Sequence, residues 1–93
     1  MAEQTKRNFR AIVSDISEGF VAVNPIYLKP FDENALKTLC RAIERKQIEI
    51  RSEPFPYDDI CLIRKRNIRL QRLYSALMVI KNFAREKRFK ISY

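Results

Sequence analysis

The chain has no histidine, no tryptophan and a single glycine among its 93 residues. Without histidine it lacks the one side chain whose ordinary pKa lies near neutral pH, so the commonest carrier of general acid–base chemistry is missing. One glycine, Gly19, is too few for a phosphate-cradling P-loop or a dinucleotide-binding turn, and no G-x-S-x-G nucleophile elbow is present. Cysteine is equally scarce. Cys40 and Cys61 stand far apart in sequence, and two thiols with no imidazole are too few for a four-ligand zinc site. Their apolar neighbours, Leu39 for one and Ile60 and Leu62 for the other, predict that both are buried as small hydrophobes. The adjacent carboxylates Asp58 and Asp59 would diverge by about 100° on a helix, and they read as charge placed at a first turn. Together these absences predict a non-enzymatic protein with no cofactor and no metal.

Long apolar runs are missing too. The longest clean stretch, Ser75 to Ile80, is soon closed by Lys81 and falls far short of the roughly 18–20 residues of a membrane span. Met1 to Arg7 lacks the apolar segment of a signal peptide, so the expected location is cytoplasmic, with nucleoid or nucleus as alternatives. Finally, acids are nearly absent from one region. Residues 60–93 hold ten Lys or Arg against the single acid Glu86, whereas nine basic residues face ten acidic ones before Ile60. The formal net charge of +8 is therefore local, and a one-sign field of this kind points to an acidic partner.

What is present suits one small domain spanning 1–93, with 1–5 and 90–93 expected to fray. A hydrophobic fraction of 46% is enough to build one core. Phe9, Ile12, Val13 and Ile16 recur at i, i+3, i+4 and i+7, which predicts a helix over about 6–18 ended by Gly19. A β-hairpin pairing Arg10–Ile16 with Phe20–Ile26 is the competitor, and it would make the fold α+β. Phe20 to Val23 reads as extended chain or a brief strand. Asp32 is a fitting N-cap for a second helix over about 32–47, carried by Leu36, Leu39, Cys40 and Ile43. Beyond it, Ile48-Glu49-Ile50 alternates like a strand, yet Ile50 also lies on the helical stripe. Pro54 and Pro56 interrupt regular structure, and a long third helix is expected over about 58–89.

On that third helix Ile63, Leu70, Leu73, Tyr74 and Leu77 cluster on one face at 100° per residue, while Ala76, Val79, Ile80 and Phe83 cluster on another. The displacement predicts a bent or broken helix, or one covered from two sides. The expected class is thus all-α, a three-helix domain with a long, bent C-terminal helix. Its expected core is Phe9, Ile12, Val13, Ile16, Leu36, Leu39, Cys40, Ile43, Ile63, Leu70, Leu73 and Leu77. Ala76, Val79, Ile80 and Phe83 are expected to form the contact of a homo-oligomer or of a complex subunit.

The basic segment carries the functional expectation. Lys65, Arg69 and Arg72 share one face opposite the leucines, with Arg64 beside them, and Arg85 and Arg88 follow further on. Arginine's planar fork suits phosphate, so these six residues are expected to contact DNA or RNA phosphates. Docking to an acidic protein through the same face is the alternative. Arg66 and the displaced second stripe argue against a helix lying in a membrane surface.

Overall fold

The computed structural model describes residues 8–89, so the ends expected to fray, 1–5 and 90–93, lie outside the described residues. Among the described residues the chain forms four helices and no strand: α1 (Phe9–Glu18), α2 (Pro25–Leu28), α3 (Glu33–Ser52) and α4 (Ile60–Glu86). The protein is all-α, and the competing hairpin is not formed, because Arg10 to Ile16 is helical.

Each helix boundary has a local cause. Asn8 caps α1, its Oδ1 accepting a hydrogen bond from the Ala11 N–H at 3.2 Å. The far end closes in a Schellman turn, with Gly19 at φ 86°, the Gly19 N–H on the Ile16 carbonyl and the Phe20 N–H on the Asp15 carbonyl. The short α2 was not expected from periodicity. Asn24 accepts from the Tyr27 N–H at 2.8 Å, and Pro25 at the first helical position needs no N–H partner there. Asp32 caps α3 as expected, with its Oδ1 2.7 Å from the Ala35 nitrogen. α3 runs on past residue 47 because Ile50 continues its buried stripe, and it stops where Pro54 requires Glu53 to be extended, at φ −67° and ψ 146°. Asp59 caps α4 by accepting from the Leu62 N–H at 3.1 Å, so this helix opens one residue past Asp59 rather than at Asp58. A second Schellman turn closes α4, with Arg88 in the position usually held by glycine, at φ 61°.

α4 is the spine: it packs against α1, α2 and α3, while α1 also packs on α3. Val13, Ile16, Leu36, Leu39, Cys40, Ile43, Leu73 and Leu77 are buried as expected, and Leu28, Phe31 and Ile50 join them. Phe9, Ile12 and Leu70 are half-buried against that core, and Ile63 is half-buried outside it. Ile63 therefore departs from the expected core, and two further side chains are more exposed than their apolar surroundings in the sequence suggest. Tyr74 is 60% exposed, and Cys61 is exposed while Cys40 is buried.

The long helix is also not broken. Its buried residues are Leu73, Ala76, Leu77, Ile80, Phe83 and Ala84, a single stripe that Ile63, Arg66 and Leu70 extend as half-buried positions toward the N-terminus. The steps from Ile63 through Arg66, Leu70, Leu73, Leu77 and Ile80 to Ala84 alternate three and four. Such a repeat averages 3.5 residues and drifts by about 20° per heptad on a helix of 3.6 residues per turn. One slowly winding stripe thus looks like two when projected at a fixed 100° per residue. Ala76, Ile80 and Phe83, expected to meet another subunit, are core residues of this chain, and Val79 is half-buried. The exposed second stripe that motivated an oligomer contact there does not exist.

Helix lengths decide what is left uncovered. At 1.5 Å per residue the 27 residues of α4 span about 40 Å, against about 30 Å for α3 and about 15 Å for α1. The longest dimension of the described molecule is 46 Å. Buried positions on α4 begin at Leu73, so its N-terminal turns extend past the helices that would cover them. No helix among the described residues is long and apolar enough to cross a membrane.

Candidate functional site

The basic face of α4 divides into side chains used by the fold and side chains left at the surface. Arg69 belongs to the first group. Its side chain is 18% exposed, its Nε lies 3.9 Å from a Glu18 carboxylate oxygen and its Nη2 lies 3.9 Å from one of Glu53. Both distances exceed hydrogen-bond range, and Nε is buried without a hydrogen-bond partner. The attraction is therefore Coulombic, and it ties the end of α1 and the residue after α3 to the middle of α4. Arg72 also serves the fold. Its Nη1 donates to the Ser17 carbonyl at 3.0 Å, meeting one of the acceptors that a helix leaves unpaired in its last turn. The guanidinium lies so close over Gly19 that a Cβ there would sit 2.9 Å from Arg72 Cζ. Arg66, between these and the helix start, lies 5.1 Å from the centroid of the Phe55 ring. Phe55 in turn packs against Tyr57, with ring centroids 4.8 Å apart and ring planes tilted by 57°.

Arg64 and Lys65 are different. They are exposed, and among the described residues they make no hydrogen bond or ion pair. Apolar side chains surround them: Ile60 is 67% exposed, Leu62 49% and Ile68 44%. The exposed thiol of Cys61 lies one turn before Arg64 and Lys65 on the same helical face. Arg85 and Arg88 are exposed at the opposite end, 21 residues beyond Arg64 in the case of Arg85, which is about 30 Å along the helix. That separation is several times the screening length of about 8 Å at physiological salt, so the two ends act as separate charge centres. Of the six residues expected to hold phosphate, Arg64 and Lys65 form one exposed group and Arg85 and Arg88 another. Arg69 and Arg72 are committed to α1 and the α3–α4 link. Sequence spacing gave the cations but not the apolar residues beside them.

This division has a measurable consequence. Arg69→Ala is expected to destabilise the fold by roughly 1 kcal/mol, through lost packing of the stem and two unanswered carboxylates, while Arg64→Ala and Lys65→Ala should each stay within about 0.5 kcal/mol. Urea unfolding followed by far-UV circular dichroism compares them. Equal effects for all three would mean that Arg69 holds nothing together.

The same face of α4 borders two shallow hollows. One, of about 310 Å³, lies along Cys61, Arg64, Lys65 and Ile68 and is bounded by Glu18. The other, of about 480 Å³, lies between α4 and the extended segment at Val21–Val23. Ile68 and Arg72 line both. Comparison with protein-family models, with curated proteins and with solved structures finds no match for this chain, so the chemistry of this surface has to be read from its own residues.

Proposed function

We propose that the protein is a non-enzymatic interaction adaptor that presents the N-terminal part of α4 to an acidic partner protein. The observation that carries this reading is the mixture of side chains there. Arg64 and Lys65 stand exposed among Ile60, Leu62 and Ile68, so the surface offers charge and apolar area together. A phosphate backbone answers the charge and leaves the apolar area wet. A partner that carries carboxylates and apolar side chains answers both, because complementary charge sets encounter and register while apolar burial holds the complex.

The nucleic-acid reading remains the second one, supported by the net charge of +8 and by the exposed cations at both ends of α4. Against it stand the commitment of Arg69 and Arg72 to internal contacts and the spacing of the two cationic ends. One experiment separates the two. Fluorescence anisotropy is run with a random copolymer of glutamate and leucine, with poly-glutamate of equal length and with mixed-sequence duplex DNA, each at several salt concentrations. The copolymer is expected to bind at least about tenfold more tightly than poly-glutamate, and duplex binding should fade by physiological salt. Tighter binding of the duplex at 150 mM salt would favour nucleic acid, particularly if log K fell with log salt by about 0.9 for each of several phosphates. Arg64→Ala/Lys65→Ala would then lower that slope by roughly 2 units.

A further inference from the structure

The two hollows beside α4 share Ile68 and Arg72, so they are consecutive stretches of one groove that follows the helix from Cys61 to Val79. Its length is about 27 Å at 1.5 Å per residue, the length of a helix of about 18 residues. In the larger hollow the apolar lining is Ile68 and Val79 from α4 and Val21 and Val23 from the extended segment that forms the opposite wall, with Gln71 and Ser75 of α4 as polar neighbours. That wall exists because Gly19, in its left-handed conformation, turns the chain back from the end of α1, and Phe20 to Val23 then runs on with no helix or strand.

Charge along the groove is one-sided. Arg64, Lys65 and Arg72 line it, and the acid that borders it, Glu18, is already matched by Arg69. A second copy of this chain is a poor occupant. Its own long helix is basic, and it would set Arg64 and Lys65 against their counterparts, with each chain carrying +8. Like charges brought together at an interface oppose association.

From this juxtaposition we infer that the groove between α4 and Val21–Val23 receives an acidic amphipathic helix of the partner. The apolar stripe of that helix rests on Ile68, Val79, Val21 and Val23, and its carboxylates meet Arg64 and Lys65. This rests on the adaptor reading and adds to it a place and a partner geometry. The mode is that of an amphipathic helix laid in an apolar groove, where anchors one turn apart supply affinity and flanking charge fixes direction. Arg72, held on the Ser17 carbonyl, lies where the two hollows meet.

The test uses the full chain and a fluorescein-labelled 18-residue peptide with leucines at i, i+3, i+4 and i+7 and glutamates on the flanking positions. A second peptide of identical composition has its leucines scattered around the helix. The patterned peptide is expected to bind at least about tenfold more tightly than the scattered one. Amide shift changes in a nitrogen–proton correlation spectrum should centre on Val21, Val23, Ile68 and Val79. Ile68→Gln replaces an exposed side chain and should leave the melting temperature unchanged while weakening the patterned peptide by about tenfold. Equal binding of the two peptides, or an Ile68→Gln protein that binds as well as the parent, overturns the groove. If Arg64→Glu/Lys65→Glu still abolishes binding of the glutamate–leucine copolymer in that event, the adaptor reading survives without it. No saturable binding of the patterned peptide overturns the groove as well, and loss of the copolymer preference along with it removes both. Concentration-dependent shifts at the same residues with no peptide present would assign the groove to a second copy.

Discussion

Leu73→Ala is expected to lower the free energy of unfolding by about 2–5 kcal/mol, a large share of the 5–15 kcal/mol typical of a folded domain. Leu73 is fully buried on α4, where that helix meets the common core, so the deleted carbons leave a cavity that three helices can close only by moving together. The spread in the expected value reflects how far they can do so. Leu62→Ala, on the same helix but 49% exposed, should change stability by less than about 0.5 kcal/mol. Chemical denaturation of the two variants in parallel checks both. Similar losses would mean that the N-terminal turns of α4 are covered after all, and this would remove the surface on which the adaptor reading depends.

The second large effect concerns the two helix ends that close in the same way with different residues. Gly19→Val places a β-branched side chain at φ 86°, and its Cβ meets the Arg72 guanidinium at 2.9 Å. The left-handed conformation alone costs an ordinary residue roughly 1–2 kcal/mol, more when the side chain is β-branched, and the displaced Arg72 gives up its bond to Ser17 as well. A loss of about 2–4 kcal/mol is expected. At the other end the sign reverses. Arg88 occupies the equivalent left-handed position at φ 61°, so Arg88→Gly should stabilise the protein by about 1 kcal/mol. Thermal unfolding measured on both variants gives the two signs directly. A destabilising Arg88→Gly would show that its side chain supplies more than its backbone costs.

Much of the fold is written in short-range chemistry. Gly19 and Asp32 mark real helix ends, and Leu36, Leu39, Cys40 and Ile43 mark a real buried face, because capping and periodicity act within a few residues. α2 was also there to be seen, since Asn24 followed by Pro25 is a cap followed by a ready first turn. Its four residues are too few for any hydrophobic period to register. Ile48-Glu49-Ile50 was ambiguous on its own and resolved only by depth: Ile50 is buried and Ile48 is exposed. The second apolar stripe read on α4 came from projecting a 3.5-residue repeat onto a fixed 100° wheel, which splits one winding stripe into two.

The candidate surface was legible in its cations and opaque in how they are employed. Nothing near Arg69 in the chain reveals that Glu18 and Glu53 flank it, and nothing near Arg72 reveals the carbonyl of Ser17, because each partner arrives from another helix end. Cys61 was misjudged for a related reason. Its apolar neighbours predict burial only if another element packs over the thiol, and Cys61 is left exposed.

The length mismatch between α4 and its neighbours also grades the molecule in how firmly it holds its shape. Backbone hydrogen bonds around Leu73 to Ala84 are sheltered by packed side chains, and opening them means opening the core. Those of the first turns after Asp59 are fastened mainly by one cap and by the Arg66–Phe55 contact. Segments with few buried contacts open at a small fraction of the cost of global unfolding. The end of α4 that carries Arg64 and Lys65 can therefore fray and re-form while the rest stays folded, and an arriving partner would select the wound state from an ensemble in which that end alone is changing.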